Sequence, residues 1–164
     1  MIKDKRPTFY TDEGQPIRAA GILCYVYDHN RNKKIWLFRK QSNKFSDTGG
    51  KTDMIDENPL QTAIRETVEE TNGHLFSKNH NNETCTKILV RELKKQNPKP
   101  IYVESCKYLV IPFRLRFKNF KLSLDRFGEM EIHDHLEHSY HWLEDIPKTD
   151  LHPRLISVRN ILTS

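Results

Sequence analysis

The chain has 164 residues, 30% of them charged, and its 27 basic and 22 acidic side chains give a formal net charge of +5. The mean hydropathy is −0.76, and no apolar run approaches the roughly 18 residues that cross a bilayer, which argues against a membrane protein. This length suits one domain with one sizeable core, and we expect residues 1–164 to form it. The positive charge is a mild bias toward anionic partners and does not by itself indicate a nucleic-acid-binding protein.

The first six residues and the cysteines indicate a cytoplasmic protein. Residues 1–6 are charged rather than apolar, so they do not resemble a secretory signal. The three cysteines are odd in number and lack the spacing of a metal site, which favours buried, reduced thiols. We expect no membrane partner, and the sequence leaves the oligomeric state open.

Strands are predicted in the first third of the chain. Residues 1–15 show little periodicity and are expected to wrap the surface or to add a short strand. Residues 19–28 are rich in β-branched and aromatic side chains and end in a turn cluster, and residues 34–39 follow as the hairpin partner. Residues 47–51 contain Gly49-Gly50 and are predicted to form a turn.

A capped helix is predicted directly after this glycine pair. Asn58 is a favourable N-cap, and Pro59 follows where its missing N–H has no intrahelical partner to lose. Asn72-Gly73 readily adopts the left-handed conformation that ends a helix. An apolar stripe along one side predicts burial against a core; its members are Leu60, Ala63, Ile64 and Val68.

The second half of the chain continues with mixed elements. Residues 74–86 are polar and predicted to be a loop, residues 87–93 a strand or a short helix, and residues 117–126 irregular. Pro112 is expected to place the end of its strand at a sheet edge or a bulge. Strands are predicted at 101–104, 107–114, 130–132 and 139–143, and an amphipathic helix at 151–162. This alternation predicts an α/β fold.

The predicted helix at 59–71 carries three carboxylates on one face. Glu66, Glu69 and Glu70 fall within an arc of about 100°, where like charges repel each other. No lysine interrupts this face, as would be usual on a solvated helix. Because Mg²⁺ prefers oxygen ligands, the pattern favours a divalent-cation site; the alternative is an acidic face exposed to water.

The same segment resembles the box that defines the Nudix hydrolase family. Seven residues separate Glu57 from Arg65-Glu66, and two more residues precede Glu69-Glu70, as they do in that box.

Three departures from the box are visible. Six residues rather than five separate Gly50 from Glu57. Thr67 occupies a position that is usually hydrophobic, and Asn72-Gly73 stands where a glycine and a hydrophobic residue are usual. None of these departures alters the central Arg-Glu-x-x-Glu-Glu pattern.

The resemblance implies a Nudix-type α/β/α sandwich with a mixed sheet. It implies an enzyme that depends on Mg²⁺ or Mn²⁺ and cleaves the diphosphate of a nucleoside diphosphate linked to another moiety. The implied metal ligands are Glu66, Glu69, Glu70 and the backbone carbonyl of Gly50. Glu69 and Glu70 are also implied in catalysis, and Glu57 and Arg65 are implied as an ion pair that supports the site.

Residues outside the box supply further candidates. Arg39, Lys40 and Lys44 precede the glycine pair and are candidates for binding a diphosphate; the alternative is a solvated surface. The resemblance implies that Glu137, in a later loop, is a metal-binding or general-base carboxylate, and the alternative is an exposed loop residue.

Several functions remain open at this level. A small phosphorylated substrate is expected, and RNA is an alternative partner because the chain is basic. The alternative activities are mRNA decapping and hydrolysis of diphosphoinositol polyphosphates. A different class of alternative is a Nudix-like binding module without catalytic activity.

Overall fold

A mixed β-sheet with helices on both faces forms the computed structural model, which describes residues 5–116, 127 and 138–163. The strands are β1 (Phe9–Tyr10), β2 (Pro16–Ile17), β3 (Ala19–Asp28), β4 (Lys33–Gln41), β5 (Lys44–Ser46), β6 (Thr48–Lys51), β7 (Ile101–Val103), β8 (Tyr108–Arg114) and β9 (His138–Leu143). The helices are α1 (Pro59–Glu70), α2 (Asn82–Gln96) and α3 (Pro153–Leu162), and a short 3-10 turn spans Glu104–Cys106.

Strand β3 is the centre of the sheet. One of its edges pairs in parallel with β8, which pairs in turn with β7. Its other edge pairs first with β6 and then, further along the strand, with β4. Strand β4 continues past β3 to pair with β5 and β9. The sheet therefore divides between β4–β5 and β6, and this division opens a cleft.

Alternating side chains of β3 supply a core on each face of the sheet. On one face Val26 packs in a buried cluster with residues of α1 and α2, such as Ile64 and Leu89. On the other face Leu23 packs in a second cluster with α3, where Leu155 is buried. Two helices thus cover one face and one helix covers the other, which confirms the predicted α/β class and its layered arrangement.

Helix α1 begins where the sequence predicts. The side chain of Asn58 accepts a hydrogen bond from the backbone N–H of Gln61 at 2.9 Å, and Pro59 lies in the first turn. The apolar stripe is shifted from the prediction, because Leu60 is 39% exposed and Thr67 is fully buried. Thr67 tolerates burial because its hydroxyl oxygen lies 2.8 Å from that of Thr48 on β6, within hydrogen-bonding distance.

The segment predicted as a turn at residues 47–51 instead contains strand β6. Gly49 of β6 lies opposite Gly21 of β3 in the register of the pair. A Cβ on either glycine would overlap the hydroxyl oxygen of Tyr108, a fully buried side chain. The glycines are therefore required by a close approach within the sheet, and the pattern of a glycine pair alone does not distinguish this from a turn.

The predicted loop at 74–86 is too long, because α2 already begins at Asn82. The side chain of Asn81 accepts a hydrogen bond from the N–H of Thr84 at 2.8 Å, which caps the helix. The first turn of α2 is polar, which is why the sequence pattern favours a loop there. The buried positions of the helix, Cys85, Leu89 and Leu93, follow after that turn.

The remaining elements agree closely with the sequence. Pro112 pairs with β3 at a point beyond the end of the β7 pairing, so its missing N–H faces an open edge, as predicted. The predicted elements at 117–126 and 130–132 lie outside the described residues. Cys24 and Cys85 are buried and Cys106 is partly exposed, and all three are free thiols. No helix within the described ranges has the length and apolar character needed to cross a membrane.

Substitution of Gly49 by alanine is expected to destabilise the protein by about 1–3 kcal/mol, the usual penalty for overpacking a core. The added methyl group would meet the Tyr108 hydroxyl and the backbone of β3. Gly50→Ala is the matched control, because the three atoms nearest to a Cβ there all belong to the carboxyl end of Glu66, at 2.6–2.8 Å, and not to the backbone or the core. Urea unfolding measures both variants, and equal stability of the two would contradict this account of β6.

Candidate active site

Strand β6 lies directly against the acidic face of α1. The backbone N–H of Gly49 donates to the Glu70 carboxylate at 3.2 Å. The carboxyl group of Glu66 lies so close to Gly50 that a Cβ would approach it to 2.6 Å. The sheet and the helix therefore bring two of the predicted metal ligands, Glu66 and Glu70, to the backbone of the glycine pair.

Glu70 is a carboxylate that is largely withdrawn from water. Its side chain is 12% exposed, and burial raises its pKa to about 8, with Glu66 adding to the rise. Arg39 opposes this rise, since its Nη1 lies 3.7 Å from Oε1 of Glu70. The Tyr140 hydroxyl donates to the backbone carbonyl of Glu70 and holds the end of α1. A carboxylate withdrawn from water beside a second carboxylate is a favourable partner for a cation.

Arg65 connects the loop before α1 to the acidic face. Its Nε and Nη2 donate to the two oxygens of the Asp56 carboxylate at 3.1 Å each, and Nη2 also donates to the carbonyl of Lys51 at 3.0 Å. Its Nη1 lies 3.1 Å from Glu66 and 3.5 Å from Glu69. One guanidinium thus fixes the loop and offsets the repulsion between two carboxylates.

The predicted partner of Arg65 was Glu57, and the structure corrects this to Asp56. The Asp56 carboxylate is buried and also accepts from the Thr62 hydroxyl at 2.8 Å and the Asp53 N–H at 2.8 Å. Glu57 is exposed, and its backbone N–H donates to the Gln61 side chain at 2.8 Å. Five residues separate Gly50 from Asp56, which is the number usual between the glycine and the first acidic residue of the Nudix box. This spacing in the sequence therefore indicates Asp56 as the acidic residue before the helix.

The three predicted carboxylates share one face of α1, but their oxygens do not converge. Across the described residues, no group of three or more His, Cys, Asp and Glu side chains is close enough to hold a metal ion. Glu66 and Glu69 turn toward Arg65, whereas Glu70 turns toward Gly49 and Arg39. The chemistry of the donors fits a divalent cation best at Glu66 and Glu70, because burial raises the pKa of both carboxyl groups. Glu69 is 53% exposed and stays a prediction.

Two of the three predicted substrate-binding cations meet in the cleft. Arg39 and Lys44 line a cavity of about 490 Å³ that Glu70 and Gly49 also line. Lys40 points to the opposite face of β4, because successive residues of a strand alternate, and its Nζ lies 5.0 Å from the centre of the Phe45 ring. Lys40 is therefore separated from the other two. Glu137 lies outside the described residues and stays a prediction.

Sequence reasoning missed a buried polar cluster beneath β6. Asp47 accepts hydrogen bonds from Nε of Arg154, at 2.9 Å, and from the hydroxyl of Tyr108, at 2.8 Å. The Asp47 side chain is fully buried and that of Arg154 is 14% exposed. These contacts join α3 and β8 to the residue before β6. They span 107 and 61 residues of sequence, and no local pattern indicates such pairings.

The chain matches no protein-family model and no curated protein. Among solved structures it is similar to a Nudix hydrolase from M. smegmatis, RenU, with 12% identity, a TM-score of 0.46, and coverage of 96% of this chain and 93% of that one. It is also similar to an Ap4A hydrolase from C. elegans solved as a binary complex, with 19% identity, a TM-score of 0.48, and coverage of 89% of this chain and 96% of that one. At these identities and TM-scores, the likeness alone does not assign a function to this chain.

Replacing Asp56 by asparagine is expected to lower the free energy of unfolding by about 1.5–3 kcal/mol, the usual worth of hydrogen bonds to a charged group. The loss arises because Arg65 no longer meets a carboxylate at the end of the loop. Glu57→Gln removes a charge one residue away and is expected to change stability by less than about 0.5 kcal/mol. Chemical denaturation measures the free energy of unfolding of both variants. A larger loss in Glu57→Gln than in Asp56→Asn would contradict the pairing of Asp56 with Arg65 and favour Glu57 as the partner.

Proposed function

We propose that the protein is a Mg²⁺- or Mn²⁺-dependent pyrophosphohydrolase of the Nudix type. Its substrate would be a nucleoside diphosphate linked to another moiety, and the bond cleaved would lie within the diphosphate. The observation that carries the proposal is the approach of Glu66 and Glu70 to the Gly49-Gly50 backbone, beside a cavity that holds Arg39. A solvated acidic helix face would not be packed against a strand in this way.

The metal would be held by Glu66 and Glu70, with Glu69 and the backbone carbonyl of Gly50 as further candidate ligands. A bound divalent cation would neutralise part of the diphosphate charge and lower the pKa of a coordinated water. The two carboxylates are preorganised for this task, because Arg65 and the Gly49 N–H hold them at fixed positions. Preorganised charges need little rearrangement during a reaction, which is the usual source of electrostatic catalysis.

Positive side chains would orient the diphosphate next to these carboxylates. Arg39 is 8% exposed and lies beside Glu70, so its charge is directed at the same point as the metal ligands. Lys44 lines the same cavity from β5. The proton of the attacking water requires an acceptor, for which Glu69 is the candidate on α1 and Glu137 is the candidate in the later loop.

A binding module without catalytic activity is the alternative from a different class. The acidic positions of the box are all retained in the sequence, and two of them, Glu66 and Glu70, are largely withdrawn from water against the glycine pair, which favours the enzyme. A panel of compounds separates the two classes: nucleoside triphosphates, dinucleoside oligophosphates, nucleotide sugars, diphosphoinositol polyphosphates and capped RNA, each with and without Mg²⁺ or Mn²⁺. A folded protein that hydrolyses none of them would contradict the proposal.

Glu70→Gln and Glu69→Gln are each expected to lower kcat by roughly 100-fold or more, by analogy with the loss of one preorganised charge-stabilising group. Glu83→Gln is the matched control, because Glu83 lies on α2, is largely exposed and pairs only with Lys87 among the described residues. Metal-dependent release of phosphate, detected after treatment of the products with a phosphatase, measures all three. Full activity of both α1 variants would show that the roles assigned to these carboxylates are wrong.

A further inference from the structure

The cavity beside the carboxylates is itself built for an anion. Its volume of about 490 Å³ lies within the range of small-molecule sites, roughly 300–1,000 Å³. It is bounded by the β4–β5 hairpin on one side and the start of α3 on the other. Three cations line it, Arg39, Lys44 and Arg154, against the single carboxylate of Glu70. When Asp47, which lies directly behind Arg154, is included, positive side chains still outnumber carboxylates by three to two.

Arg154 is oriented by the buried cluster beneath it. Its Nε donates to the Ser46 hydroxyl and to Asp47, at 2.9 Å each, and its guanidinium lies 4.5 Å from the centre of the Tyr108 ring. No hydrogen bond joins its two terminal nitrogens to any residue that the structure describes. A rigid guanidinium with free N–H groups at the wall of a cavity is well suited to a phosphate, which accepts two parallel hydrogen bonds.

His152 adds a neutral donor to the same wall. Its Nδ1 accepts from the backbone N–H of Arg154 at 3.2 Å and thereby caps α3. Burial lowers the pKa of His152, and the neighbouring Arg154 lowers it further. We assign the proton of the neutral ring to Nε2, since Nδ1 must accept. Pro153 has no N–H and that of Arg154 is already used, so the anion site depends on side chains and not on the helix terminus.

The walls of the cavity indicate which part of a substrate fits. The residues that line it, within the described part of the chain, include no Phe, Tyr or Trp and no large aliphatic side chain, and their one aromatic ring is the imidazole of His152. A nucleobase is usually held by large aromatic and aliphatic side chains, whereas this lining is dominated by cationic and small polar groups, which favour a phosphate chain. Glu70 and Gly49 belong both to this cavity and to the candidate metal site. A ligand bound at the carboxylates would therefore continue into the cavity without interruption.

We propose that the cavity is an oligophosphate subsite, in which Arg39, Lys44 and Arg154 bind a phosphate chain that extends from the diphosphate under attack. The inference rests on the proposed function and specifies its substrate class. The preferred substrates carry three or more consecutive phosphates, and diphosphates linked directly to a sugar leave the cavity partly unused. The start of α3, more than 80 residues after α1 in the sequence, thus contributes to substrate selection.

Calorimetric titration with inorganic tripolyphosphate, in the presence of EDTA, tests the subsite without the metal or the reaction. The expected result is binding that Lys44→Ala weakens roughly tenfold, the loss typical of one charge-assisted contact. Lys44 is exposed, so this variant avoids the buried pair that a change at Arg154 would break. Lys87→Ala, at an exposed lysine of α2, removes the same charge far from the cavity and is expected to leave the affinity unchanged. Absence of binding up to millimolar concentration, or equal weakening by both variants, would overturn the inference.

A kinetic comparison separates this inference from the proposed function. With metal present, Lys44→Ala is expected to lower kcat/KM by roughly tenfold for a nucleoside triphosphate and by a smaller factor for a nucleotide sugar, whose diphosphate Lys44 would also help to orient. Hydrolysis of both compounds with equal losses in Lys44→Ala would overturn the subsite and leave the proposed function intact. Hydrolysis of no compound in the full panel would instead contradict the proposed function, and the titration with tripolyphosphate would then decide the subsite alone.

Discussion

The close approach of strand β6 to the acidic face of α1 is the constraint on which the rest of the site depends. Two glycines allow it in different ways. Gly49 leaves room on the sheet side for the buried hydroxyl of Tyr108, and Gly50 leaves room on the helix side for the carboxyl group of Glu66. The Gly49 N–H then faces the Glu70 carboxylate. A Cβ at Gly49 would clash with the sheet, and a Cβ at Gly50 would displace the carboxyl group of Glu66, so either would change the shape of the candidate metal site.

This arrangement holds two carboxylates close together and away from water, which is unfavourable in the protein without a bound cation. Glu66 and Glu70 are largely withdrawn from water, and burial raises the pKa of each. Arg65 on one side and Arg39 on the other reduce the repulsion, at 3.1 and 3.7 Å from the nearest carboxylate oxygens. Such compensation by cations at the edges of an acidic cluster is consistent with a site that gains its remaining stability from a ligand. The division of the sheet between β4–β5 and β6 provides the space for that ligand.

Features encoded by neighbouring residues could be predicted from the sequence, and those encoded across the chain could not. The cap at Asn58 and the acidic face of α1 follow from the order of residues within one helix, and the structure shows both. Strand β6 was mistaken for a turn because its glycines serve a contact with Tyr108, far along the sequence. The pair of Asp47 with Arg154 has no local signature at all. Asp56 is an intermediate case. Its spacing from Gly50 indicates it as the partner of Arg65, whereas the spacing of Glu57 from Arg65 favours Glu57.

Binding of Mn²⁺ tests the central claim most directly, since it depends on the carboxylates and on no choice of substrate. Electron paramagnetic resonance counts the free ion during a titration of the protein. The account predicts saturable binding at micromolar to millimolar Mn²⁺ that is lost in the Glu66→Gln/Glu70→Gln double variant and retained in Glu83→Gln. A signal from free Mn²⁺ that rises linearly from the first addition, with or without a diphosphate compound present, would contradict it.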